Sequence, residues 1–343
     1  MNAPPHREGF AERFLKKTVI TIAVFAFLYV GNLWYTGNLQ NLALLMHNPR
    51  VQLFTMVVVS ILLEAIPFTF IGSLFSGILA VLVPDRVIQR AFSKRRSLSI
   101  LAGASIGLIF PVCSCGIVPV ARRLLKKGLP SPGVVTYLIA APIINPVTII
   151  STAVAFSATR GPLMSLWRIL FAFAIAVPAG YILGFHGQEA ILREDADEHD
   201  HTPGSRLERI LRHATDDFLL VGKYVILGTF IAGIFQAWVP KQVVLGLASH
   251  EILSVIFMQA MAMALSMCSF ADAFIASSFV SLPAASQIVF MTAGPTVSIA
   301  LMTLYLGTFR RKFALRTISI VSFLILALGT ITALIVRTPG GAS

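Results

Sequence analysis

Three cysteines carry the chemistry that this sequence could perform. Cys113 and Cys115 are separated by Ser114 alone, and Cys268 follows much later in the chain. Thiols at such spacing suit a soft, thiophilic solute, whereas a Cys-x-Cys pair without a second pair lacks the spacing of a structural zinc site. We therefore predict that the thiols and their hydroxyl neighbours bind a small-molecule substrate, with no metal ion, no cofactor and no catalytic residue.

Two other interpretations of the cysteines stay open. A buried cysteine is often a small hydrophobic side chain without a chemical role, and Cys268, which stands alone, fits this description best. Cys113 and Cys115 could instead cycle between dithiol and disulfide in a membrane thiol–disulfide relay. Such a relay would have no use for the polar Asn145 or for a second helix break.

The cysteine pair lies where an apolar helix is expected to break. Residues 110–119 hold two prolines and a glycine within an apolar run, and these residue types interrupt helices. A half-helix would then begin near Gly116. In hydrocarbon, a broken helix persists only where its freed backbone groups are buried in protein or line a wet cavity. The predicted helix breaks are Pro111, Gly116, Pro119, Pro142, Pro146, Gly294 and Pro295.

Polar residues inside the apolar runs complete the predicted site. Asn145 stands between two helix breakers, where it could line a cavity or bond the freed backbone, and Ser298 is its counterpart later in the chain. Carboxylates inside a membrane face the protein interior, so Asp272 and Glu64 are candidates for proton coupling. Asp272 could equally make only a structural hydrogen bond. The predicted substrate-binding residues are Cys113, Ser114, Cys115, Asn145, Cys268 and Ser269.

Composition defines the class of protein. Of the 343 residues, 56% are hydrophobic and 12% are charged, with a mean hydropathy of +0.83. Soluble domains are about one-quarter charged, so this chain is a polytopic membrane protein. The formal net charge of +12 does not indicate nucleic acid, because the basic residues lie in short loops beside apolar spans. The expected partners are the lipid bilayer and a small-molecule substrate, with a homodimer as one option.

The positions of the basic residues predict a topology with two hairpins. One hairpin, 98–121, would enter from the cytoplasm and turn at its cysteines, and the other, 252–282, would enter from outside and turn near Cys268. Twenty-two Lys and Arg residues then lie in the cytoplasm, as does the N-terminus, in agreement with the positive-inside rule. The basic residues left outside are Arg50, Arg160, Arg168, Lys241 and Arg337.

The hairpins also reveal an internal repeat. Residues 111–114 correspond to 266–269, and 140–142 correspond to 293–295. Each unit crosses the membrane three times, an odd number, so the second unit is inverted relative to the first. The predicted fold is an all-α polytopic membrane protein with two inverted repeats, each with a helical hairpin broken at a cysteine motif, plus an extra N-terminal transmembrane helix.

The predicted domains follow from this repeat. Residues 1–50 are the cytoplasmic N-terminus and first transmembrane helix, 51–185 the first repeat, 186–217 a cytoplasmic acidic and His-bearing linker, 218–336 the second repeat and 337–343 a C-terminal tail. The composition of 186–217 indicates a solvated, disordered linker, with a weak metal-sensing loop as the alternative.

Two motifs resemble a known family. Residues 111–119 with 141–146, and then 268–274 with 294–295, look like the predicted-permease family that includes the ArsP-type organoarsenical exporters and the YraQ-type permeases. The resemblance covers nearly the whole chain from about residue 51, and residues 115–123 are closer to the YraQ branch. It implies an integral permease of the bacterial inner membrane. For the ArsP branch it implies arsenic resistance by efflux of trivalent organoarsenicals, with Cys113, Cys115 and Cys268 as candidate arsenic ligands.

The predicted function is secondary transport, not enzymatic catalysis. A soft or thiol-reactive solute would bind between the two hairpin tips near the middle of the membrane, and rocking of one inverted unit against the other would expose it to each side in turn. The sequence has no Gly-rich lysine loop of the kind that binds ATP phosphates, so an ion gradient or a partner is expected to supply the energy.

Overall fold

A computed structural model describes residues 48–84, 95–108, 113–158, 161–185, 191–192, 205–238, 251–279 and 282–335. The predicted N-terminal membrane helix, the C-terminal tail and Pro111 lie outside these residues. Contacts divide the chain into two units, Met1–Thr55 and Met56–Ser343. Of the first unit, the described residues are 48–55, where the first helix begins.

Twelve helices make up nearly all of the described residues, and within that part of the chain no strand forms, although Leu192 and Phe309 make an isolated β-bridge. The first six helices are α1 (Pro49–Leu82), α2 (Arg96–Ile106), α3 (Ser114–Lys126), α4 (Ser131–Ile144), α5 (Pro146–Ala155) and α6 (Gly161–Leu183). The other six are α7 (Arg206–Trp238), α8 (Glu251–Leu265), α9 (Ala271–Ser278), α10 (Ala284–Val297), α11 (Ile299–Thr308) and α12 (Arg311–Ile335).

Six stretches among the described residues are long and apolar enough to span a membrane. They are Pro49–Leu82, Ser131–Ala155, Gly161–Leu183, Arg206–Ala237, Ala284–Thr308 and Arg311–Ile335. Two of them, Ser131–Ala155 and Ala284–Thr308, are each a pair of half-helices, and they are the most buried of the six. The prediction of an all-α polytopic membrane protein is therefore confirmed.

The order of the helices repeats. We call α1–α6 the first repeat and α7–α12 the second repeat. The broken span has 14 and then 10 residues in both repeats. It breaks at Asn145 (φ −65°, ψ 157°) in the first repeat and at Ser298 (φ −67°, ψ 157°) in the second. That the repeats are inverted across the membrane stays a prediction.

Of the predicted breaks, Pro146 coincides with an observed break, whereas the other described glycines and prolines of that set lie inside helices. Pro142 lies inside α4, and Gly294 and Pro295 lie inside α10, each a few residues before the actual break. Pro146 instead occupies the first position of α5, where its missing N–H is harmless, and it forces the preceding Asn145 into an extended conformation. Ser298 has the same conformation without a following proline, and no local reason for it is evident.

Gly116 and Pro119 also lie inside a helix, because α3 begins at Ser114. Gly116 serves close packing: a Cβ atom on Gly72 of α1 would overlap the Gly116 backbone. The Pro119 carbonyl accepts a hydrogen bond from the Ser76 hydroxyl of α1, at 3.4 Å. These two residues therefore bring α1 and α3 together instead of ending a helix.

The predicted linker is shorter than expected, because α7 already begins at Arg206. Within the rest of 186–217, Ile191 is fully buried. It packs with side chains of α3, α4 and α12 and with Phe309, and its carbonyl accepts a 3.0 Å hydrogen bond from the Arg310 backbone N–H. Solvation along the whole of 186–217 was therefore a wrong prediction, since an apolar residue anchors the segment to the helices.

Candidate functional site

A cavity of about 440 Å³ lies among the start of α3, the segment before α9 and the helix breaks at Asn145 and Ser298. Helices α1 and α7 contribute Ser60, Ile61, Glu64, Ala65, Phe68, Val225 and Thr229. The start of α3 and the break before α5 contribute Cys113, Ser114, Cys115, Asn145, Val147 and Thr148. The second repeat adds Ser266, Met267, Cys268, Ser269, Phe270, Ser298, Ala300 and Leu301.

The structure brings nearly all of the predicted site residues to this cavity. Each of the six predicted substrate-binding residues lines it, as do Glu64 and Ser298. Asp272, the other candidate for proton coupling, does not line it. Residues that are 155 positions apart in the chain, Cys113 and Cys268, thus face one space.

Each of the three cysteines lies at, or within three residues before, the start of a helix. Cys113 precedes the first residue of α3 in an extended conformation, and Cys115 is the second residue of that helix. The Cys113 and Cys115 side chains interact with one another. Cys268 lies just before α9, where its sulfur accepts a hydrogen bond from the Ala271 backbone N–H at 3.4 Å. All three side chains are half-buried.

Helix starts contribute several of the polar lining residues. Ser114 is the first residue of α3, and Asn145 and Ser298 directly precede α5 and α11. A helix start carries partial positive charge on its unpaired N–H groups. Among the described residues that line the cavity, Glu64 is the single carboxylate and there is no Lys, Arg or His. These helix starts therefore favour electron-rich groups without a fixed cation beside them.

Asn145 is fixed by the break at which it lies. Its side-chain oxygen accepts a 2.9 Å hydrogen bond from the Thr148 backbone N–H, which caps the start of α5. The Thr148 hydroxyl in turn donates to the Ile143 carbonyl at 2.9 Å. Asn145 is buried, at 3% exposure, and is also one of the residues that line the cavity. The two roles predicted for Asn145 thus occur together.

Replacing Asn145 by alanine should lower the free energy of unfolding by about 1 kcal/mol, the usual cost of losing an N-cap. Ser298→Ala is the matched control, because Ser298 occupies the same position in the second repeat but its side chain makes no capping bond. Thermal unfolding in one detergent measures both variants. Equal losses of stability in the two variants would contradict the capping role of Asn145.

An arginine that sequence reasoning had placed outside the membrane is fully buried. Arg168 of α6 and Asp272 of α9 are both 0% exposed, and their two N–H···O contacts each measure 2.9 Å. The prediction that Arg168 lies outside was therefore wrong. A signal was present, because a cation eight residues into the apolar segment 161–183 requires a buried partner.

A second cluster of charges joins the repeats. Asp217 of α7 is buried, and one of its oxygens lies 3.2 Å from an Arg123 guanidinium nitrogen and 2.5 Å from the Ser76 hydroxyl. Its other oxygen lies 4.0 Å from Arg122. Sequence reasoning missed this cluster, because it assigned Asp217 to a solvated linker.

In the described part of the chain, no group of three or more His, Cys, Asp or Glu side chains is arranged to hold a metal ion. The chemistry that the cavity offers is therefore that of thiols, hydroxyl groups, one amide and one carboxylate. Such a wall can bind a small solute by hydrogen bonds and by exchange of thiol ligands.

Comparisons with known proteins agree in class. The family ArsP_1, described as "Predicted permease", matches residues 50–334. The UPF0718 protein YcgR of Bacillus subtilis is 38% identical over 282 residues, which cover 79% of this chain and 94% of the relative. A Streptococcus mutans protein named "Putative two-component membrane permease complex subunit" is 33% identical over 282 residues, covering 79% of this chain and 91% of its own length. No solved structure matches the chain.

Proposed function

This chain belongs to the predicted permease family ArsP_1, and we propose that it is a secondary transporter for a small, thiol-reactive solute. The solute class that fits best is a soft metalloid compound such as a trivalent organoarsenical. The cavity between the hairpin tips is the proposed binding site, and the lining residues that the two repeats contribute are the proposed ligands.

One observation carries this proposal. The chain has three cysteines, and all three line the same cavity of about 440 Å³, although they come from both repeats. A trivalent arsenic centre exchanges hydroxyl ligands for thiolates, with the thiol protons leaving in water. The cavity volume is in the range of sites that hold small ligands. A convergence of soft ligands in a membrane cavity supports binding of a soft solute.

Glu64 is the proposed proton-coupling residue. It lies in the middle of α1, lines the cavity and interacts with Cys268. A carboxylate that faces both a solute and a wet cavity can exchange a proton as the solute binds or leaves. Asp272 is less suited to this role, because both of its carboxylate oxygens are bound to Arg168 away from the cavity.

Alternating access would follow from movement of one repeat against the other. Helix α3 of the first repeat packs on α11 of the second, and α9 of the second packs on α5 of the first. These two contacts flank the cavity, so changing them would open it to different sides. We propose a bacterial inner membrane location, a cytoplasmic N-terminus and efflux as the direction. The name of the Streptococcus mutans relative raises a partner chain as an alternative to the homodimer.

The cavity favours a permease over a thiol–disulfide relay. A relay needs two thiols that a partner can reach, which Cys113 and Cys115 alone would supply. It gives no reason for Cys268, Glu64 and Asn145 to converge on the same space. A permease predicts that a solute protects Cys115 from an impermeant thiol reagent, whereas a relay predicts labelling that depends on the redox state alone.

Uptake of phenylarsine oxide into everted vesicles tests the proposal. Wild-type vesicles should accumulate it when energised by a proton gradient, and Cys115→Ser should lower accumulation at least about tenfold through loss of one ligand. Ser277→Ala is the control, because this half-buried side chain does not line the cavity and bonds a carbonyl of its own helix. Other metalloids and thiol compounds complete the panel. Equal accumulation of every compound by wild type and Cys115→Ser would overturn the cysteine site.

A further inference from the structure

The buried pair of Arg168 and Asp272 reaches beyond its own ion pair. The five N–H donors of the Arg168 guanidinium all have acceptors. Two go to the carboxylate oxygens of Asp272, and one goes to the Thr152 hydroxyl at 3.0 Å. The last two go to the backbone carbonyls of Ile143, at 2.9 Å, and Ser269, at 3.1 Å.

The two carbonyl groups come from different repeats, and each lies at or near the cavity. Ile143 is in the last turn of α4, two residues before the break at Asn145, so its carbonyl has lost the regular helical partner. Ser269 lies between Cys268 and α9 and lines the cavity. Arg168 thus binds the backbone next to Asn145 and the backbone next to Cys268 with a single planar group.

We propose that Arg168 is the positioning residue of the cavity, holding the Asn145 wall of the first repeat at a fixed separation from the Cys268 wall of the second. This inference rests on the proposed function, since it assigns to Arg168 the geometry of the solute site. A guanidinium suits the role because its donors form a rigid planar fork. Lysine has a single flexible ammonium group and cannot hold both carbonyls together with both carboxylate oxygens.

A double substitution tests the positioning role without leaving a buried charge unpaired. In Arg168→Met with Asp272→Asn, the packing is retained and the charges are removed together, a change that folded proteins often tolerate. In a chain whose other two cysteines have been replaced, Cys268 should then react with a methanethiosulfonate reagent about tenfold faster than it does when Arg168 and Asp272 are present. In a chain that keeps all three cysteines, the double substitution should lower the affinity for phenylarsine oxide about tenfold, because that factor corresponds to the loss of one hydrogen bond to a charged group. The melting temperature should change little.

The matched control removes an exposed ion pair. Glu208 and Arg212 of α7 lie 3.2 Å apart on the helix surface, and Glu208→Gln with Arg212→Met should leave both thiol reactivity and phenylarsine oxide affinity unchanged. A folded Arg168→Met/Asp272→Asn variant with the thiol reactivity and affinity of wild type would overturn the proposal. If Cys268 reacts faster in the double variant but the wild-type protein transports nothing, the positioning role is upheld and the proposed function is overturned.

A second variant applies if the double variant does not fold. Arg168→Lys keeps the charge opposite Asp272 and should lower phenylarsine oxide affinity, whereas affinity equal to wild type would contradict the proposal.

Discussion

Arg168→Ala should sharply lower the amount of folded protein in the membrane. The substitution leaves the fully buried Asp272 carboxylate without its cation and removes the donors that serve the Ile143 and Ser269 carbonyls. Breaking one side of a buried ion pair costs about 3–5 kcal/mol, which is a large share of the roughly 5–15 kcal/mol that stabilises a typical domain. Size-exclusion chromatography of detergent-solubilised membranes measures the folded fraction.

Arg212→Ala is the matched comparison for that prediction. Its partner, Glu208, is more than half exposed, and surface pairs of this kind contribute about 0–1 kcal/mol. The yield of Arg212→Ala should therefore equal that of wild type. Recovery of Arg168→Ala in wild-type yield with an unchanged melting temperature would show that the buried pair is not needed for folding.

The second large effect is expected at Gly72, where α1 meets α3. A Cβ atom at this position would overlap the Cα, carbonyl carbon and oxygen of Gly116, and backbone atoms cannot rotate away. Gly72→Ala should therefore destabilise the protein by about 1–3 kcal/mol, although alanine is the better helix former. Because α1 carries Glu64 and α3 carries Cys115, the altered helix separation should also lower phenylarsine oxide accumulation.

Gly222→Ala isolates the effect of helix propensity. Gly222 is also inside a long apolar helix, α7, but a Cβ atom added to it would meet no neighbouring atom within 4 Å. This substitution should raise the melting temperature slightly, since alanine gains up to about 1 kcal/mol over glycine in a helix. Thermal unfolding and uptake are measured on both variants, and equal behaviour of the two would contradict close packing at Gly72.

Local patterns were sufficient for the class of fold and for much of the site. Apolar runs of spanning length define helices because hydrocarbon leaves no other way to satisfy backbone groups, and the described residues are accordingly helical. The six residues predicted to bind substrate, from Cys113 and Asn145 to Cys268, all line one cavity, whereas Asp272 does not. Polar groups within apolar runs must face the protein interior, so their positions in the sequence already limited which residues could form the site.

The exact break positions were beyond local patterns. Glycine and proline permit a break but do not require one, and the packing of neighbouring helices decides. Gly116 is used for the approach of α1, and Pro142 is accommodated inside α4. Only the proline that follows Asn145 acts locally, because it excludes the helical conformation of the residue before it.

By itself, the sequence determined an all-helical membrane protein with few polar residues available to form a site. Only the tertiary structure decided which charges pair. Arg168 and Asp272 are 104 residues apart, and nothing in the sequence indicated that they pair. Arg168 was predicted to lie outside the membrane, and Asp272 was predicted to be a candidate for proton coupling. The physical reason is that a buried charge is stable only with a bonded partner, and in this protein the partner comes from the other repeat.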